Sequence, residues 1–412
     1  MRYNGAWRST ETMSSSPHTH RVIHYVLEGA AVLLLVTLAA LILILHITRP
    51  EIPYNKQVSG LESTIQARVL SVANEETTVD ENGLIMVFQE LELEIRSKGE
   101  YQGQTITVSY NGMGPTLESV RFRKGQQALV MISKRPDGQV FFQVADHVRL
   151  GPIAVIVGLF VALTLGIGRW KGVRALLGLV LSALLIGGFI MPQILAHRDP
   201  TLVSLIGTAT LLAVTLYLIQ GWNPTGHAAL LGMLAALGVT GALAVGWTKL
   251  SYLTGFGSEE TMFLQAMGVG IEMRGLLLAG MIIGAASVLD DVVLAQAVTV
   301  FELAAANADL SRGELYRRSM KIGVTHLASM INTLVLAYAS AALPLLLLFY
   351  LYPEPWYLTI NRELIAEEIV RALVGSVGLM MAVPLTSAIT AWATTAALVK
   401  MDESGSPEPS QG

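Results

Sequence analysis

The sequence predicts an all-α polytopic membrane bundle of about eight transmembrane helices, with a small antiparallel β-domain inserted after the first of them. Three observations predict it. Of 412 residues, 52% are hydrophobic and only 14% are charged, whereas soluble domains carry about 25% charged residues. Apolar runs long enough to cross roughly 30 Å of hydrocarbon recur along the chain. One stretch, 49–150, is instead polar and alternates with the period of two that marks strands.

Taken in order, residues 1–25 are a polar tail with Arg2, Arg8 and Arg21. Residues 26–48 contain an almost purely apolar run of a length suited to one crossing. HITRP at 46–50 is a poor cleavage site, so this reads as an uncleaved signal anchor rather than a signal peptide. The 49–150 region then alternates in TIQARV (64–69), QELELEI (89–95), QTITV (104–108), QALVMI (127–132) and QVFFQV (139–144). Turn signals lie between them at 81–83, 111–112, 124–125 and 136–138. Short strands so spaced suggest a small antiparallel barrel, OB-like, or a sandwich.

Apolar runs resume at 153–167, 175–190, 202–219, 228–245, 275–301, 327–350 and 372–399. Together, 151–399 reads as a seven-helix domain, and the Ser/Pro/Glu-rich end, 400–412, as a disordered tail. The segment 262–271 reads as either amphipathic or re-entrant. Gly is abundant, at 38 residues, as close helix packing in lipid requires.

Charge gives an orientation. With the N-terminus cytoplasmic, the inside segments hold Arg2, Arg8 and Arg21, then Arg169, Lys171 and Arg174, then Arg312, Arg317, Arg318 and Lys321, and Lys400. The outside loops hold fewer cations and many acids, among them Glu259, Glu260, Glu272, Glu354, Glu363, Glu367 and Glu368. The positive-inside bias therefore places both termini in the cytoplasm and the β-domain outside a bacterial plasma membrane.

The run around GMIIGAASVLDDVVL (280–294) organises the rest. It carries Asp290 and Asp291 deep inside a spanning helix. A carboxylate there costs roughly 2.5 kcal/mol or more, so it must face a bundle interior, a partner or water. Adjacent helical residues diverge by 100°, so the two acids point apart. Ser287, Asp291 and Glu302 share one face. On the next span His326, Ser329, Thr333 and Ser340 share another, with Asn332 beside it. These two polar lines are expected to meet and to form a proton- or cation-linked site. For each residue a structural role stands beside the functional one. Asp290 could serve a helix kink, His326 an interface, and Asn332 and Thr333 interhelical bonding.

These stretches resemble the YibE/F family of bacterial multispanning membrane proteins, in the manner of its actinobacterial members. The resemblance is carried by GAASVLDD (284–291), FEL (301–303), HLAS (326–329), NTLVLAY (332–338) with ALPL (342–345), and RALVGSVG (371–378) with VPLT (383–386). Val324 and Thr325 stand where the resemblance leads one to expect an Arg-Asp pair. It implies the architecture of 150–399 and the β-rich region after one anchor.

Function follows by elimination and by the acids. Net charge is −4 and there is no basic stripe, so nucleic acid is not an expected partner. There is no cysteine, which removes disulfides, thiolate metal sites and Cys nucleophiles. No catalytic or phosphate-loop motif occurs, so an enzyme is not expected and no cofactor is implied. The expectation is a transporter or permease for an ion or small molecule, in contact with the lipid bilayer. The alternative is a non-transporting scaffold or sensor whose β-domain binds a ligand or partner. Metal binding and the oligomeric state, homo-oligomer or complex, are left open.

Overall fold

A computed structural model describes residues 64–81, 83–134, 139–307, 309–352 and 354–403. The expected tail at 1–25, the anchor at 26–48 and the chain from 404 onward lie outside the described residues. The remainder forms two compact units that divide between Gly168 and Arg169.

In the first unit, alternation in sequence becomes alternation in space. β1 (Thr64–Val79), β2 (Ile85–Ile95), β3 (Thr105–Gly114), β4 (Gln127–Lys134) and β5 (Val140–His147) make one antiparallel sheet in the order β3-β2-β1-β4-β5. The long β1 pairs with β4 through Thr64–Arg68 and with β2 from Ala67 to Val79. Its register with β2 slips between Val69 and Ser71 and again between Val72 and Asn74. Such bulges bend a strand and raise its twist, and here the edge strands β3 and β5 come into contact, nearly closing the sheet. A single curled sheet is the barrel alternative; a second stacked sheet is not formed among the described residues.

Inward positions of β2 are Val87, Gln89, Leu91, Leu93 and Ile95, every second residue. Leu91, Leu93 and Ile95 pack with Val69, Val108, Ala128, Val130 and Val144. Phe122, fully buried, fills the centre from the segment after the short α1 (Leu117–Val120). It meets Tyr110 edge-on at 4.9 Å and stacks on His147 at 3.9 Å. Gln89 is 3% exposed; its amide accepts from Phe122 N (2.8 Å) and donates to Phe122 O (2.9 Å) and Glu75 (2.8 Å). A buried polar side chain is thus fully used, as burial demands.

The helices follow. α2 (Leu150–Leu185) continues through a π-helical turn (Ile186–Ile190) into α3 (Met191–Leu195). Together they cover 46 residues, far more than one crossing needs. The backbone leaves the helical region at Arg169, with φ 48° and ψ −126°. The two apolar runs read there, 153–167 and 175–190, thus lie on either side of one interruption.

After it come α4 (Pro200–Gln220), α5 (Pro224–Leu250), α6 (Glu259–Ala266), α7 (Met273–Ala306), α8 (Arg312–Ala341), α9 (Leu343–Leu351), α10 (Trp356–Asn361) and α11 (Glu363–Glu403). Starts are written plainly in the sequence. Asp199 and Asn223 accept from backbone N–H groups of the first turn, each followed by a proline at the first helical position. Ser258 and Ser311 cap α6 and α8. The segment 262–271 begins in the short α6, none of whose residues is buried; Met262 and Phe263 lie on its surface.

Among the described residues, six helices are long and apolar enough to cross a membrane. Seven runs were expected over the same stretch, and two of them share the first helix. The bundle is built around α5, α7 and α11. Its core is rich in small residues: Ala213, Ala229, Ala236, Ala286, Ala297 and Ala382 lie in one buried cluster. A Cβ on Gly378 would lie 2.1 Å from Thr240 Oγ1, and one on Gly232 2.6 Å from Thr386 Oγ1. Helices in lipid gain nothing from hiding apolar surface from water, so close backbone approach is their main source of attraction. Exposed Tyr350, Tyr352, Trp356 and Tyr357 gather beyond the end of α8, as an aromatic belt at a membrane surface would.

Candidate functional site

α7 has two faces. Its buried side runs through Ile282, Ala286, Leu289, Val293, Ala297 and Val300. Its exposed side is Gly280, Ser287, Asp291, Ala295, Val298 and Glu302, at intervals of three, four or seven. The expected line Ser287–Asp291–Glu302 is therefore one face, and that face lies on the surface of the protomer. Asp290, one position away, is half-buried. Ser287 donates back to Gly284 O at 2.7 Å within its own helix. Glu302 lines a cavity of about 190 Å³ with Gln220, Asn223, Thr225 and Gly226 of the α4–α5 turn and Leu294, Val298 and Phe301 of its own helix.

α8 packs on the bundle through Leu315, Ser319, Gly323 and Leu334. On its flank Arg318, His326, Ser329 and Thr333 are all exposed, with Asn332, also exposed, beside them. Thr333 donates to Ser329 O at 3.1 Å. No hydrogen bond or ion pair joins the α7 line to the α8 line among the described residues. Two contacts bracket their relative level. Gln296 Nε2 donates to Ser319 O at 3.0 Å. Farther along, the Tyr338 hydroxyl lies against Gly284, 3.5 Å from where a Cβ would stand. Midway between those contacts α7 passes Asp290 and α8 passes Ala328 and Ser329. The acids and the His326–Ser329 turn are thus at one level, on neighbouring helices.

Two polar features were not read from the sequence. The first is Gln296, 4% exposed, which also donates to Ser387 Oγ at 2.6 Å and so ties α7, α8 and α11 together. The signal existed, though a weaker one than an acid gives: an amide inside an apolar run is uncharged but must still find hydrogen-bond partners. The second is a clasp. Glu363 accepts from Thr254 N, from Thr254 Oγ1 at 2.7 Å and from Gly255 N at 3.0 Å. Glu367, 5% exposed, accepts from Gly257 N at 3.2 Å. Gly255 has φ +85°, and a Cβ there would lie 2.3 Å from Met273 O, so only glycine fits this turn. Read as loop acids, both glutamates instead stand in the first turns of α11.

Among the described residues no group of three or more His, Asp or Glu is placed to hold a metal ion. What the arrangement can do is hold charge at depth: an acid pair mid-helix, with a third acid on the same face leading to a cavity.

Helices of this length and apolarity, with a core of alanine and glycine, define an integral, multi-pass membrane protein. A family model described as YibE/F-like protein matches residues 156–396, more than half of the chain, and the chain belongs to that family. No curated protein and no solved structure matches it.

Proposed function

We propose that this protein is a transporter or permease of the bacterial plasma membrane, in which Asp291 binds a proton or a cation during the transport of an ion or small molecule. Asp290, Glu302, Ser287, His326, Ser329, Asn332 and Thr333 supply the polar surroundings. The reading is carried by one observation: Asp291 lies mid-helix on the exposed face of α7, in line with Ser287 and with Glu302, which opens onto a cavity. A carboxylate at membrane depth is retained against a steep desolvation cost, and such residues mark ion and proton paths. The positive-inside bias supports cytoplasmic termini and an extracytoplasmic β-domain.

The test is proton or sodium flux into vesicles holding the purified protein and an entrapped indicator, under an imposed membrane potential. Asp291→Asn is expected to abolish the flux or its pH dependence. Equal flux in the variant would sink the reading. The rival, a scaffold or sensor, is favoured by the separate core of the β-domain. It predicts that removing 49–150 abolishes the cellular phenotype while Asp291→Asn spares it.

A further inference from the structure

A spanning helix that leaves an acid on its outer face needs something to cover it. α7 leaves acids there, and α8 leaves basic and hydroxyl groups that need the same cover. α7 exposes Ser287, Asp291 and Glu302; α8 exposes Arg318, His326, Ser329 and Thr333. The two strips are opposite in character. One carries acids. The other carries a guanidinium, an imidazole and two hydroxyls.

Their order along the helices also matches. α7 and α8 run antiparallel through a short connection, and the Gln296–Ser319 and Gly284–Tyr338 contacts set their level. Starting from that connection, Glu302 and Arg318 come first. Asp291 and the His326–Ser329 turn come next, and Ser287 and Thr333 last.

We propose that these strips form an interface with a second copy of this chain, the acid strip of each copy facing the donor strip of the other. Two copies inserted the same way in a bilayer are related by a two-fold axis along the membrane normal. That rotation leaves every depth unchanged, so a group meets only what lies at its own level. The paired levels of α7 and α8 satisfy this reciprocally: Asp291 of one copy stands against His326 and Ser329 of the other, and the converse. Gly280, Ser287 and Ala295 on the same strip let the helices approach closely. The anchor segment of the same chain is a poorer cover. Residues 30–47 carry one hydroxyl, Thr37, and no cation before His46 at the end of the run.

The proposal rests on the carboxylate site described above and completes it, since each Asp291 then finds its donors in the second copy. Its test does not read transport. The chain has no cysteine, so single cysteines report cleanly. Two differently tagged full-length chains are co-expressed, one Ser287→Cys and the other Thr333→Cys, and the membranes are mildly oxidised. Disulfide-linked heterodimers are expected several-fold above those from a Leu181→Cys and Leu202→Cys pair, two exposed positions elsewhere on the bundle.

Yields no higher than that control overturn the proposal. So does capture of Ser287→Cys by Leu35→Cys of its own chain, which would make the anchor the cover. Should a variant fail to insert, the unmodified chain is counted by photobleaching in lipid nanodiscs: two copies per disc are expected, and one overturns the interface. Heterodimers without flux would leave the interface standing and remove the transport reading. Flux lost in Asp291→Asn without heterodimers would do the reverse.

Discussion

Two buried glutamines compare the two units. Gln89 sits in the β-domain and Gln296 in the bundle, 3% and 4% exposed. Gln89 bridges the backbone N–H and C=O of Phe122, for which no other hydrogen-bond partner is found among the described residues. Gln296 reaches Ser319 O, already a helix carbonyl, and Ser387 Oγ, which itself donates to Val383 O at 2.8 Å. The first glutamine satisfies groups that have no other partner among the described residues. The second joins groups whose helices satisfy them anyway. The cores differ in the same sense. The β-domain is filled by Leu91, Leu93, Ile95, Phe122 and Val130, because water drives large apolar groups inward. The bundle is filled by alanines, glycines and hydroxyls, because in lipid proximity is what remains. One region should be broken by removing atoms and the other by adding them.

The largest expected effect is in the β-domain. Leu91→Ala should cost about 2–5 kcal/mol, the range for emptying a fully buried site. Hydrogen exchange of residues 64–147 in the full chain would read it. An equal loss from Leu379→Ala in α11 would erase the contrast. Next comes enlargement in the bundle: Gly378→Leu forces a side chain into Thr240 and should cost roughly 1–3 kcal/mol or more. Thermal unfolding in detergent checks this, and Thr240→Ala should relieve part of it. If Gly378→Leu unfolds at the unmodified temperature, close packing is not what holds the bundle.

The glutamines sharpen the comparison further. Gln89→Leu strands two buried backbone groups at about 1–3 kcal/mol each. Gln296→Leu should cost only about 0.6 kcal/mol, the average for an interhelical bond in lipid. The same two measurements, run on both variants, decide it.

The smallest effect concerns pH. Burial holds the His147 imidazole below its usual value of 6.5, with Asp146 opposing and Arg149 assisting. Its folded form therefore resists protonation. The stability it contributes is complete above pH 6.5 and is lost as pH falls below it. Asp146, held below its usual range chiefly by its hydrogen bond from Arg149, acts only at more acid pH. His147→Phe should keep the stack on Phe122 and flatten the exchange rates of the β-domain between neutral and mildly acid pH. An unchanged slope in that variant would remove His147 as its cause.

How much was legible follows from the solvent. In the β-domain the five alternating stretches fall on β1 to β5 to within one residue, because water on one side stamps a period of two on each strand, whereas the turn expected at 111–112 lies inside β3. Gln89 falls on an inward position of that period. The helices of the bundle were legible by length, and the 100° step placed Ser287, Asp291 and Glu302 on one face. Which way that face points was not legible, since lipid and protein core are equally apolar and leave no periodic mark. Gln296 was passed over for the opposite reason: one amide in a long apolar run is a faint signal beside two acids. The break read between 153–167 and 175–190 coincides with the non-helical backbone at Arg169, while nothing in RWKGVR (169–174) says how short that interruption is. Glu363 and Glu367 look like loop acids until the chain far before them is in view.

That last feature bears on how the protein is made. The turn at Thr254–Gly257 is held by side chains 108 to 110 positions later in the chain. During synthesis, α5 and α6 leave the ribosome long before α11 exists. Their connecting turn is therefore an unfinished joint, its N–H groups open, until α11 enters the membrane. α11 acts as the closing latch of this part of the assembly, and a chain interrupted before Glu363 would leave that joint open.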